Sequence, residues 1–327
     1  MLSSESTKPR PRNARTPCCP LDETSLSAMP VPISAIERLT GLTKEVVRVW
    51  ESRYGFPQPD RDENGDRIYP AEQIVRLRLI RRLLVAGLGP RRVVALDLAQ
   101  LESLVARLAD DEGLTPSDGC RQIFDAVFHH DLVALTHLLR GQLNRQGLAL
   151  FVRESVSPLN VIVGDAWLRG EIRVFQEHLY TEVVKDVLRD AIRTVTDSLG
   201  SPRVLLSTPP GELHTVGLLM ATAILSLEGA CCIRLGAQNP TEELVIAAKA
   251  CRIDIIGLSF SVAHSVRTAA RYLRDLRNQL DPDIEIWAGG AGVSKLGRID
   301  GVRRMHSLDG IGSAIHAWRT LKATQPG

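Results

Sequence analysis

The stretch Glu212-Leu213-His214-Thr215-Val216-Gly217 carries the residue types in this chain best suited to chemistry. It follows the apolar run Val204-Leu205-Leu206 and a Pro209-Pro210-Gly211 turn, so the pattern predicts a strand, a tight turn and a helix start. That order sets His214 at the C-terminal edge of a parallel sheet, where open α/β sheets bind their ligands. On these residues alone, His214 serves either as a cap or satisfied polar side chain, or as a metal ligand.

The elements that must position it lie in residues 200–327, where strand and helix patterns alternate. Strands are expected near 203–208, 230–235, 253–259 and 285–288, with a short one near 302–306. Helices fill 215–228, 241–251, 266–280 and 310–321. This alternation predicts a doubly wound, flavodoxin-like (Rossmann-type) α/β domain. Polar or glycine-rich patches fall at three strand ends: Glu212-Leu213-His214, Ser259-Phe260-Ser261 and Gly289-Gly290. Each alone reads as a loop, a turn glycine or a helix cap; together they line one crevice.

With 327 residues the chain is long enough for two or three domains. A 44% apolar and 24% charged composition is that of an ordinary globular protein, and a net charge of +2 by itself implies neither a nucleic acid nor a membrane partner. No apolar run approaches the ~20 residues that span a bilayer. Residues 1–29 lack the apolar core of a signal peptide and read as a disordered tail with solvated Arg10, Arg12 and Arg15. The six cysteines form no CxxC pair; Cys231 and Cys232 read as strand residues, Cys18 and Cys19 as part of the tail. The cytoplasm is the expected compartment, without a membrane partner.

In residues 30–97, a short amphipathic helix from Ile33 to Leu39 ends at Gly41, and Thr43 caps a second helix over 44–54. Two short helices joined by a glycine-containing turn form a helix-turn-helix signature. The second helix places Lys44, Arg48 and Glu51 near one face while Val46, Val47 and Trp50 pack inward. Asn64-Gly65 predicts a hairpin turn before Arg67-Ile68-Tyr69, and a further helix spans 71–86. The pattern alone fits either a DNA-reading unit or a small helical domain with a charged surface. Arg48-Val49-Trp50-Glu51-Ser52-Arg53-Tyr54-Gly55 followed by Gly65-Asp66-Arg67-Ile68-Tyr69 resembles the winged-helix DNA-binding domain of MerR-type transcription regulators, over about residues 31–97. The resemblance implies dimeric binding to a double-stranded operator. Lys44 and Arg48 then reach base edges, and Arg53, Tyr54, Arg67 and Tyr69 grip phosphates.

Residues 98–199 read as successive helices with breaks near 113–116, 131, 147, 158 and 170, which predicts an all-α four-helix bundle. On periodicity alone this is a structural spacer. Nine residues separate Trp167 from Glu177-His178, a spacing similar to the bundle half of CarH-type adenosylcobalamin photoreceptor repressors. That resemblance implies that Trp167 covers the adenosyl group and that Glu177 and His178 line the same pocket. The sheet domain in turn resembles the cobalamin-binding fold of methionine synthases and corrinoid mutases, whose pattern is Asp-x-His-x-x-Gly, Ser-x-Leu and Gly-Gly. It implies that His214 is the lower axial ligand of cobalt, with Glu212 orienting the ring. Gly217, Ser259, Ser261, Gly289 and Gly290 then make room for the displaced nucleotide tail. Imidazole suits cobalt, and a carboxylate behind it raises its basicity.

Two positions depart from those patterns. Ser261 stands where leucine is usual. Leu168 stands where some CarH-type receptors carry the histidine that takes the upper cobalt position after illumination, leaving His129, His130 or His137 as substitutes. The expected protein is therefore a multidomain regulator without enzymatic activity: adenosylcobalamin-dependent, light-responsive, repressing, and assembled as a homodimer or tetramer. The alternatives are a MerR-type regulator whose sheet domain senses another tetrapyrrole, redox state or a protein partner, and, further off, a corrinoid enzyme module.

Overall fold

The computed structural model describes residues 30–85, 88–111, 117–196, 198–261 and 264–324. The expected disordered tail at 1–29 and the expected helix break at 113–116 lie outside them.

The head begins with β1 (Val31–Pro32), α1 (Ile33–Thr40) and α2 (Lys44–Tyr54), followed by β2 (Asp60–Arg61), β3 (Arg67–Tyr69), α3 (Ala71–Val85), α4 (Pro90–Val93) and α5 (Leu98–Asp111). The Thr43 hydroxyl accepts from Val46 N–H at 3.4 Å, and Gly55 ends α2 in the left-handed region at φ 67°. The strands form a small antiparallel sheet in the order β1-β3-β2. Ile36, Val47, Trp50, Leu77, Ile80 and Leu83 are buried in one core. Leu101 and Val105 of α5 belong to that core too. These positions lie one helical turn apart, so a single stripe of α5 packs on the head, although residues 98–111 were expected to start the bundle.

One expectation about the head's surface is also corrected. Glu51 lies on the same face of α2 as Lys44 and Arg48 and is engaged there by the hairpin. Its carboxylate accepts from Arg67 Nε at 3.0 Å and from the Tyr69 hydroxyl at 2.5 Å. Tyr69 has no exposed surface, so it cannot touch a phosphate: its ring fills the core and its hydroxyl must be paired there. Tyr69→Phe is expected to lower stability in urea unfolding by about 1 kcal/mol and to leave the salt dependence of DNA binding unchanged. A reduced salt slope would restore Tyr69 as a phosphate contact.

The bundle comprises α6 (Asp118–Phe128), α7 (Leu132–Leu150), a π-helical stretch (Phe151–Val156), α8 (Ser157–Arg169) and α9 (Val174–Val195). Gly147, expected to break the chain, instead kinks a continuing helix at φ 74°, ψ 165°; Gly170 ends α8 at φ 77°. The run Leu132–Arg169 is long and apolar enough to cross a bilayer, contrary to the sequence expectation. Here Leu135, Leu139, Phe151, Val152 and Val163 of that run are buried in the protein's core.

The sheet domain contains β4 (Arg203–Ser207), α10 (Val216–Leu227), β5 (Cys231–Gly236), α11 (Thr241–Ala250), β6 (Ile255–Ser259), α12 (Val266–Gln279), β7 (Glu285–Gly289), β8 (Val302–Arg304) and α13 (Gly310–Thr324). All its pairings are parallel, in the order β5-β4-β6-β7-β8. The order reverses between β4 and β6, so the crevice opens beyond their C-terminal ends. Successive side chains of a strand face opposite ways. Val204 and Leu206 accordingly pack with α10, α13 and the bundle residues Leu159, Tyr180, Val184 and Val187, whereas Leu205 packs with α11 and α12. Bundle and sheet thus share one core, stitched by Tyr180 O–H to Asn160 Oδ1 at 2.8 Å and Asn160 Nδ2 to Met220 Sδ at 3.5 Å. Cys231 and Cys232 lie in β5; burial pushes the Cys232 thiol up to about 11, which keeps it protonated and unreactive.

Candidate functional site

The loop from β4 to α10 is held by its own polar side chains. Thr208 Oγ1 donates to Glu212 O at 2.6 Å and accepts from Gln238 N at 3.0 Å. Asn239 Nδ2 donates to Ser207 Oγ at 2.9 Å. These bonds turn the buried Glu212 side chain, only 1% exposed, toward His214 and the end of β6. Its Oε1 accepts from His214 N at 2.9 Å and from His214 Nδ1 at 2.7 Å, while Oε2 accepts from Ser261 N at 2.8 Å. Ser261 Oγ lies 3.1 Å from the same Nδ1.

A carboxylate at Nδ1 fixes both the ring plane and the tautomer, and directs the lone pair of Nε2 outward. That nitrogen makes no hydrogen bond among the described residues, and the His214 side chain is 64% exposed. Burial pushes the Glu212 carboxyl up, but hydrogen bonds from His214 and Ser261 prevail and hold it at about 2. The hydrogen bond to Glu212 in turn raises His214 above the ordinary imidazole value, against the opposing effect of burial; the charge of Glu177 adds to the rise.

Around this pair the backbone is drawn close. A Cβ on Gly217 would stand 3.1 Å from Ser259 Oγ, and one on Gly290, at φ 97°, would stand 2.3 Å from Phe260 O. Gly289 ends β7 beside Ser259, its register partner. Gly292 was missed by the sequence reading. A Cβ there would stand 2.2 Å from Ser261 O, and its only signal was being the third glycine of Gly289-Gly290-Ala291-Gly292.

Across from the sheet, Trp167 is half-buried in the last turn of α8, and its Nε1 is buried without an acceptor among the described residues. Glu177 opens α9, accepting from Thr181 Oγ1 at 2.8 Å and lying 2.6 Å from His178 Nδ1. Leu168 is half-buried; His130 sits beside Gln176 at 3.4 Å, and His137 is exposed on α7. The structure therefore joins Glu212, His214, Ser261 and the glycines by direct contact, with Glu177 acting on His214 through its charge.

No group of three His, Cys, Asp or Glu suited to a metal occurs among the described residues. A lone, carboxylate-backed imidazole suits a metal that arrives already held in a macrocycle, and the glycine-lined strand ends suit an attached tail. The donor set fits a corrinoid. On the head, Arg48 and Arg53 are exposed on α2, Lys44 and Tyr54 are half-exposed, and Arg67 is half-exposed beside Glu51.

Residues 31–96 match the MerR HTH family regulatory proteins, and residues 119–189 and 202–298 each match a B12 binding domain. The chain is 29% identical over 265 residues to the HTH-type transcriptional repressor CarH of Myxococcus xanthus, covering 79% of this chain and 88% of that protein. It is 28% identical over 276 residues to the HTH-type transcriptional repressor CarA of the same organism, covering 81% and 88%. Among solved structures it is similar to the Methanosarcina barkeri monomethylamine corrinoid protein, with TM-score 0.48 and 17% identity over 61% of this chain and 96% of that one. Residues 31–96 are thus similar to MerR HTH regulatory proteins and residues 119–189 and 202–298 to B12 binding domains, and the chain resembles the CarH and CarA repressors across that arrangement.

Proposed function

We propose that this protein is a cytoplasmic, adenosylcobalamin-dependent transcriptional repressor whose operator binding responds to light. The observation that carries the reading is the His214–Glu212 pair at the switch point of the sheet, with Nε2 left bare. Adenosylcobalamin, when bound, supplies a cobalt–carbon bond that light breaks. This chain's residues do the rest. His214 would ligate the cobalt, Glu212 would hold the imidazole, and Gly217, Ser259, Ser261, Gly289 and Gly290 would leave room for the nucleotide tail. Trp167, Glu177 and His178 would line the pocket for the adenosyl group. On the head, Lys44 and Arg48 read bases, Arg53, Tyr54 and Arg67 hold phosphates, and the β2–β3 hairpin acts as the wing. The working units are the head from residue 30, the bundle and the sheet domain from residue 200. Several heads joined in one oligomer bind an operator far better than one, so a change of assembly becomes a change of repression.

The test loads the protein with adenosylcobalamin and compares absorption, elution volume and operator binding in darkness and after illumination. Loss of the larger species and of operator affinity in light is expected. Equal size and affinity under both conditions would sink the light response, and absence of bound cofactor would sink the cobalamin reading.

A further inference from the structure

Helix α3 belongs to the head, yet its outer face meets the cleft. Arg82, whose side chain is 6% exposed, donates from Nη2 to Asp165 Oδ2 of α8 at 2.9 Å, while its Nη1 is buried without an acceptor among the described residues. One turn earlier, Arg78 places Cζ 5.7 Å from the centroid of the Trp167 ring and donates from Nε to Leu39 O at 2.7 Å. The turn of the helix-turn-helix touches the same indole: a Cβ on Gly41 would stand 4.0 Å from the Trp167 ring. Between these residues lies Arg81. Burial lowers its pKa to about 10, against a rise from the charge of Glu212, and its own charge acts on His214. Helix α3 is thus seated on the Trp167 wall of the cleft through Arg78 and Arg82.

This contact has the energetics of a latch. Ile74, Leu77, Ile80 and Leu83 of α3 are committed to the head's own core, so the outer contact rests on arginines stripped of water. A desolvated ion pair contributes little net stability, and the buried Trp167 Nε1 and Arg82 Nη1 atoms, without acceptors among the described residues, weaken it further. A macrocycle reaching from His214 to Trp167 would compete with Arg78 for the indole ring.

We propose that helix α3 seated against Trp167 is the closed, ligand-free position of the head, and that corrin binding and head docking exclude each other. This rests on the cobalamin reading above. Loading then frees the head from Trp167, and the apparent affinity for the corrin is its intrinsic affinity reduced by the fraction of molecules already open.

The experiment uses the full chain with hydroxocobalamin as probe. Hydrogen exchange is followed over residues 71–85, and corrin retained after gel filtration is read by its visible absorption. Loading is expected to raise exchange in that segment. Asp165→Asn and Arg78→Gln, which loosen docking from two separate contacts and leave His214 intact, are expected to bind hydroxocobalamin about three- to tenfold more tightly. Retained corrin with unchanged exchange, and parental affinity in the folded variants, overturns the latch and leaves the cobalamin reading standing. Failure of the parent to retain any corrin overturns both.

Discussion

His214→Ala is expected to abolish histidine ligation of bound cobalamin and to weaken binding by at least about 100-fold, since loss of even an outer-shell partner of a metal ligand costs 10–100-fold. The visible spectrum reads the ligation and equilibrium dialysis the affinity. An unchanged spectrum would remove His214 from the metal and return it to the role of a polar loop residue. The same site has a pH signature whose sign follows from the two shifts. Cobalt needs the Nε2 lone pair, so protons compete for it, and affinity falls as pH falls. Because His214 is raised above its ordinary 6.5, the fall begins at a higher pH than for a free imidazole. Glu212→Gln removes the cause of that rise and shifts the midpoint downward.

The empty protein responds the other way. The raised imidazole contributes stability that is present below its unfolded value and lost as pH rises through the folded one. The carboxyl, held at about 2 instead of 4.5, contributes stability present above about pH 4.5 and lost as pH falls toward 2. The pair therefore stabilises the empty site most between about pH 4.5 and 6.5, while the metal is held best above that window.

Arg48→Ala is the second large effect. Arg48 is exposed in the middle of α2, a helix fixed by the Thr43 cap and the buried Val47 and Trp50. A base contact contributes about 1–3 kcal/mol, so affinity for an operator recovered by in vitro selection should fall about 10–100-fold, with relaxed preference at one position. Arg53→Ala should instead weaken all sequences and lower the salt slope by about one. Gel-shift titrations over a range of salt separate the two, and parental behaviour of both variants would move the reading surface off α2. Arg67 makes a poorer probe, because its pairing with Glu51 ties its loss to the folding of the hairpin.

The alternation of strands and helices in residues 200–327 was legible because a parallel sheet buried on both faces writes near-continuous apolar runs between helical patterns. The strands and helices fall within a few residues of expectation, and so does the loop that carries Glu212 and His214. What stayed hidden depends on long-range packing. Tyr69 beside a hairpin reads equally well as a phosphate contact or as a core strut, and only the position of Glu51, across from it on α2, decides. Helix α5 has the periodicity of any amphipathic helix, and nothing local says which core receives its stripe. The arginines of α3 look like a solvated face until the bundle is laid against them. Gly292 mattered for backbone approach from the loop after β6, far away in sequence, which composition cannot reveal.

The core shared by the bundle and the sheet domain has a consequence for how the protein behaves as a machine. Val204, Leu206, Leu159, Tyr180 and Val187 bury one another in a single apolar cluster, so these two units should melt together, in one transition. The ligand cleft is then a notch in a stiff block and not a hinge between two lobes, and a bound group has little freedom to pull its walls together. Whatever strain it introduces must leave through the parts that are fastened more loosely, and the head is the part fastened that way.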